Sequence, residues 1–171
     1  IFSSRISLLA GAFAVACAMA VGVPLGLMAG YFGATVDTII MRMMDTLLAF
    51  PAVLLAMVIV SILGISSTNA MISVAVVSIP SFARIARSSV LSHKEQDYVM
   101  ASRSIGSPDW SIMFRTILPN AIPPVLVQIA VSVAFAILVE ASLSFLGLGT
   151  QPPDPSWGNM LQMSRRFLRQ A

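Results

Sequence analysis

Charge is missing from three long stretches of this chain, and that constrains its fold more than any other feature. No Asp, Glu, Lys or Arg occurs between Arg5 and Asp37, between Asp45 and Arg84, or between Arg115 and Glu140. About 20 apolar residues in a helix cross the hydrocarbon core of a bilayer. The first stretch predicts a span over about 6–31. The second is too long for one span and is interrupted by Gly64-Ile65-Ser66-Ser67-Thr68-Asn69, so it predicts two, about 44–63 and 70–91. The third predicts a span over about 118–146. Only 10% of the 171 residues are charged, against about 25% in a soluble domain. The expected fold class is therefore all-α: a polytopic transmembrane helix bundle forming a single domain over 1–171.

The basic residues orient the bundle. Arg84, Arg87, Lys94, Arg103 and Arg115 cluster around the loop between the third and fourth spans. By the excess of Lys and Arg in cytoplasmic loops, that loop, 92–117, faces the cytoplasm. The segment 147–171 is then external, which leaves Arg165, Arg166 and Arg169 on the side the rule disfavours. No basic stripe with interleaved aromatic residues accompanies the net charge of +3, so nucleic acid is not an expected partner.

Within the first span, Ala10, Ala14, Ala18, Gly22, Gly26 and Gly30 recur at every fourth position. They form a strip of small side chains on one helix face, where a neighbouring backbone can approach closely. Pro24, Pro51 and Pro80 predict kinks or local breaks in the first three spans. Asp37, Arg42 and Asp45 are expected to pair with one another at the inner edge of the second span. Glu140 lies in the outer part of the last span. A charge there must face protein or water, which makes it either a pathway residue or a structural hydrogen-bonding partner.

The loop 92–117 is patterned rather than slack. Tyr98, Ala101, Ser102 and Ile105 fall on one helical face, and Gly106 is placed to end that helix. Ser107-Pro108-Asp109 is expected to start a second, with proline at the first helical position. There Trp110, Met113, Phe114 and Ile117 repeat the i, i+3, i+4, i+7 spacing. Two short amphipathic helices separated by a glycine bend can insert into a groove on a partner or lie on lipid headgroups.

Tyr98-Val99-Met100-Ala101-Ser102, then Gly106, then Leu118-Pro119, resembles the EAA loop of binding-protein-dependent ABC importer permeases. That pattern is Glu-Ala-Ala, three residues, Gly, nine residues, Ile, one residue, Leu-Pro. Here Met100 replaces the glutamate, Ser102 the second alanine and Thr116 the isoleucine, with the spacing intact. Asp45-Thr46-Leu47-Leu48-Ala49-Phe50-Pro51-Ala52 and Phe145-Leu146-Gly147-Leu148-Gly149 are similar to the C-type permease subunit of the dipeptide, oligopeptide and nickel branch. So are Gln151-Pro152-Pro153 and Pro155-Ser156-Trp157-Gly158-Asn159-Met160-Leu161.

The resemblance implies the type I ABC importer permease fold in a bacterial or archaeal inner membrane. Four spans are present here, and the family usually has one further helix before them and one after. It implies a subunit forming half of a pathway for di- or oligopeptides. The partners would be a second, homologous permease, two cytosolic ATPase subunits and an external binding protein. Coupling to the ATPases is then assigned to Tyr98, Met100, Ala101, Ser102, Arg103, Gly106, Asp109, Trp110, Met113, Phe114, Leu118 and Pro119. The alternatives are a nickel or other small-solute importer of the same family, or an ATP-independent secondary transporter.

Catalysis is not expected of this chain. No phosphate-binding glycine loop with its lysine is present, so ATP and Mg belong to partner subunits. The serines have no base in a plausible constellation. The lone histidine, His93, and lone cysteine, Cys17, offer no metal-ligand spacing.

Overall fold

The computed structural model describes residues 2–151 and 156–168, with side chains described over 7–151 and 156–164. The motif residues Pro152, Pro153 and Pro155 lie outside the described residues, as do Arg169 and the side chains of Arg165 and Arg166. All regular structure among the described residues is helical: α1 (Phe2–Phe32), α2 (Ala34–Leu48), α3 (Ala52–Leu63), α4 (Ser67–His93), α5 (Asp97–Ser104), α6 (Asp109–Ser111), α7 (Leu118–Phe145) and α8 (Trp157–Leu168). A π-helical turn, Ile112–Ile117, joins α6 to α7. Among the described residues, three helices are long and apolar enough to cross a membrane: Ser7–Phe32, Ser67–His93 and Asp109–Phe145. The pair α2 and α3 would make a fourth, broken span.

That break falls at Pro51, one of the prolines expected to kink or break a span. Proline has no N–H to donate and disfavours helical geometry in the residue before it. The chain accordingly leaves the helix after Leu48 and restarts at Ala52, with Pro51 extended at φ −56° and ψ 132° as its N-cap residue. The polar interruption at 64–69 also has a local cause. Asn69 Nδ2 donates to the carbonyls of Leu63 (3.0 Å) and Gly64 (2.9 Å), satisfying the end of α3. Ser66 Oγ accepts the Asn69 N–H at 3.1 Å and starts α4. The expected external segment 147–171 contains a further helix, α8, in which Trp157, Met160 and Leu161 fall at i, i+3 and i+4.

The chain divides into two compact units, 1–18 with 48–78 and 131–171, and 19–47 with 79–130; α1, α4 and α7 contribute to both. In the first unit Ala10, Ala14 and Ala18 are almost fully buried. A Cβ on Gly11 would lie 2.9 Å from Ile137, so α1 and α7 pack closely there. In the second unit Gly22, Gly26 and Gly30 face α4. A Cβ at Gly22 would lie 2.7 Å from the Ile79 carbonyl, and one at Gly30 would lie 2.7 Å from Val90 Cβ. At Gly26 it would collide with the Ala83 carbonyl oxygen. Only glycine allows backbones this close. α2 closes over this pair, burying Ile40 and Met44 against Ala29 and Ala83.

Candidate functional site

The loop that leaves α4 at its charged end is built from local rules and then tied to distant helices. α5 carries Asp97 in its first turn and Arg103 in its last, each matching the sign of the helix dipole at its end. It ends in a Schellman motif. The Gly106 N–H donates to the Arg103 carbonyl (2.9 Å) and the Ser107 N–H to the Ser102 carbonyl (3.2 Å). Gly106 sits in the left-handed region at φ +77°.

The second helix departs from the expected pattern. Pro108 is its extended N-cap residue rather than its first helical residue, and no side chain caps it. Only Asp109–Ser111 is α-helical. From Ile112 the turn widens, and the Leu118 N–H donates to the Met113 carbonyl, five residues back. Pro119 gives the reason. An α-helical proline ring clashes with the carbonyl four residues earlier, here that of Arg115, and a π-turn relieves such a clash. The apolar face predicted on an ideal α-helix is therefore divided. Met113 and Ile117 are buried, together with Val99 and Ile112, while Trp110 and Phe114 are exposed.

The solvent side of the loop carries large apolar side chains. Ile105 is 82% exposed, Trp110 56% and Met100 50%, with Tyr98 also exposed. Ala101 is exposed and Ser102 half-buried, its Oγ donating to the Tyr98 carbonyl at 2.9 Å. Leu118 is half-buried and Pro119 exposed at the head of α7. The Arg115 guanidinium stacks over the Trp110 ring, 5.4 Å from its centroid, and the Tyr98 hydroxyl meets His93 Nδ1 at 2.9 Å.

Long-range partners hold the loop and the helix ends beneath it. The Tyr31 hydroxyl, in the last turn of α1, donates to Asp109 Oδ1 at 2.6 Å. The Arg103 guanidinium lies 5.3 Å from the Tyr31 ring centroid. The expected pairing of Asp37 and Asp45 with Arg42 is corrected: both carboxylates take partners from α4. Arg87 binds Asp37 through both Nε (2.5 Å) and Nη2 (2.6 Å). Arg84 Nη2 binds Asp45 Oδ1 at 2.6 Å, with both side chains about half exposed. A one-turn helical register cannot disclose partners 39 and 50 residues away.

Glu140 occupies a second polar site, in the first unit. It is 3% exposed. Oε1 accepts the hydroxyls of Ser144 (2.7 Å) and Thr150 (3.2 Å). Ser144 Oγ in turn accepts the Thr150 N–H at 3.1 Å. Asn159 Nδ2 donates to the Thr150 carbonyl at 2.7 Å, bringing in α8. Gly147, at φ +83°, ends α7 with the same Schellman pattern as Gly106. A Cβ on Gly158 would lie 2.5 Å from Ser144 Cβ and collide with the Ala141 carbonyl. Glu140 thus anchors the turn by which the chain leaves α7 and packs α8 back upon it.

A cavity of ≈ 410 Å³ in the second unit is lined by Met19, Val23, Pro24, Phe114, Ile122 and Leu126 among others, all apolar. It has no convergent polar group to orient a charged or peptidic solute. No group of three or more His, Cys, Asp or Glu capable of holding a metal occurs among the described residues.

Comparison with known proteins gives one consistent result. The family model described as "binding-protein-dependent transport system inner membrane component" matches residues 22–167. The dipeptide transport system permease protein DppC of Alkalihalophilus pseudofirmus is 46% identical over 171 residues, covering 100% of this chain and 56% of that protein. The glutathione transport system permease protein GsiD of Pectobacterium atrosepticum is 46% identical over 165 residues, covering 96% and 55%. The di/tripeptide transport system permease protein DppC of Pseudomonas aeruginosa is 43% identical, covering 100% and 56%. The chain thus spans a little over half the length of these relatives. Among solved structures, the inward-facing MetNI methionine ABC transporter has the same fold at a TM-score of 0.74 and 17% identity. The match covers 98% of this chain and 89% of that one.

Proposed function

Since the chain belongs to the family of binding-protein-dependent transport system inner membrane components, we propose that it is a permease subunit of an ATP-driven importer of small peptides. Its multi-pass helices form half of the translocation pathway, and a second homologous permease forms the other half. Two cytosolic ATPase subunits bind ATP and Mg, and an external binding protein delivers the solute. The chain carries no catalysis itself.

The observation that carries this reading is the exposed apolar surface of the loop, above all Ile105 at 82% exposure. A large aliphatic side chain held in water at the tip of an ordered turn is an anchor for a groove. The charge asymmetry that places this loop in the cytoplasm puts it where an ATPase would meet it. Tyr98, Met100, Ala101, Ile105 and Trp110 make the docking surface. Arg103, Gly106 and Asp109 shape the loop. Met113, Leu118 and Pro119 join it to α7, with Phe114 at the edge of the apolar cavity. Closure of the ATPases on ATP shifts the bundle between discrete inward-open and outward-open states.

The dipeptide, di/tripeptide and glutathione relatives support a short peptide as cargo over nickel. The test is uptake into proteoliposomes by the full-length permease with its partner subunits. Labelled dipeptide, glutathione and nickel are each offered with the matching binding protein, with and without internal ATP. ATP-dependent peptide uptake is expected. Uptake indifferent to ATP would refute the importer reading in favour of a secondary transporter, and ATP-dependent uptake of nickel alone would refute the cargo.

A further inference from the structure

We infer that Tyr31 is a positioning residue for the coupling loop: a clasp that holds both arms of the Gly106 turn in docking geometry. The inference rests on the importer reading for its functional consequence, though not for its structural one.

Tyr31 belongs to α1 and lies far from the loop in sequence. Its hydroxyl donates to Asp109, in the arm after Gly106. Its ring face receives Arg103, in the arm before Gly106. One side chain therefore grips both sides of a turn whose backbone is otherwise closed only by the two hydrogen bonds of the Schellman motif. Gly106 has no side chain, and nothing lies within 4 Å of where its Cβ would be, so the tip of the turn is unpacked and the arms meet only where α5 lies on the π-helical turn. Asp109 and Arg103 could each have served as a surface contact for a partner. Here they are occupied within the chain, and the exposed apolar residues between and beside them are left to face outwards.

The clasp also has a firm base. Tyr31 follows Gly30, where α1 presses on Val90 and the Arg87 carbonyl of α4. Arg87 in turn is held bidentately by Asp37 of α2. A force on Ile105 or Trp110 is passed through Asp109 and Arg103 to Tyr31, and so to a rigid three-helix contact as well as along the chain into α7. Loss of the clasp leaves the loop attached to α4 and α7, with the packing of α5 on the π-helical turn alone to resist hinging at Gly106.

The test uses the full-length permease in its complete transporter, reconstituted in liposomes, with two readouts. One is solute carried per ATP hydrolysed. The other is amide hydrogen exchange over 97–111. Tyr31→Phe keeps the ring under Arg103 and removes the hydrogen bond to the carboxylate. It is expected to lower solute per ATP roughly tenfold, the factor that one hydrogen bond to a charged group represents. It should also speed exchange over 97–111 while leaving 79–90 unchanged. Asp109→Ala should match it, the double variant should be no worse than either, and Asp109→Asn, which keeps an acceptor oxygen, should recover most of the loss. Tyr31→Leu, which also removes the ring face, should be worse than Tyr31→Phe. Wild-type coupling and exchange in both Tyr31→Phe and Asp109→Ala would overturn the inference, and so would additive effects in the double variant. If wild-type uptake proves independent of ATP, the importer reading fails, but the exchange measurement still decides the clasp.

Discussion

Gly106 permits a graded test of the loop because its structure separates two effects that usually come together. A side chain there meets nothing: no atom lies within 4 Å of an added Cβ. The cost of substitution is therefore all in the backbone, which must hold φ at +77°. For an ordinary L-residue the left-handed conformation costs about 1–2 kcal/mol, while asparagine tolerates it better. β-Branched residues are least tolerant of positive φ. The expected order of damage is Asn below Ala below Val. At 1.4 kcal/mol per factor of ten, Gly106→Ala should shift the turn from its native to an open geometry by about tenfold, and Gly106→Val by more. The assay is solute transported per ATP hydrolysed in the reconstituted importer, alongside the melting temperature of the detergent-purified complex. Coupling should fall in that order, while melting changes little because the turn is exposed. Equal losses for Asn and Val would refute the argument from φ. An unchanged coupling ratio for Val would remove the loop from the coupling path altogether.

Other expectations follow from the same geometry. Gly26→Val places a Cβ against the Ala83 carbonyl and 2.7 Å from Ala86 Cβ; overpacking of about 1–3 kcal/mol should appear as a lower melting temperature, and a stable variant would show the α1–α4 contact to be less tight than described. Ile105→Asp should leave folding intact, because the side chain is 82% exposed, yet weaken ATPase association at least tenfold, as loss of about 1.5–3 kcal/mol of apolar burial requires; unchanged affinity would remove Ile105 from the docking surface. Glu140→Gln keeps an acceptor for Ser144 and Thr150 and should assemble and transport normally, whereas Glu140→Ala orphans buried hydroxyls at about 1–3 kcal/mol and should lower thermal stability. Loss of uptake in Glu140→Gln with assembly intact would instead assign the carboxylate to the pathway.

Much of this architecture was legible because its causes are local. A charge-free run longer than a bilayer is thick leaves a chain little choice but apolar helices, and three of the four expected spans coincide with helices to within a few residues. The every-fourth-residue strip from Ala10 to Gly30 identifies a helix face that tolerates close approach, and Gly106 marks a helix end. Pro51 likewise marks the break within the span expected over 44–63, because its missing N–H interrupts the backbone ladder whatever the side chains around it. The continuous apolar face from Trp110 to Ile117 was misread because the pattern assumes 3.6 residues per turn, and Pro119 widens the turn.

The sequence by itself determined helices, their approximate ends and the loop that bears charge, since these depend on residues within a turn or two of each other. Tertiary structure alone decided the partners. Asp37 chose Arg87 over the nearby Arg42, Tyr31 reached Asp109 across 78 positions, and Glu140 gathered Ser144 with Thr150. Each choice depends on where two helices cross and how they are rotated. That is set by summed packing, including the close approach at Gly22, Gly26 and Gly30, and no periodicity along one helix contains it.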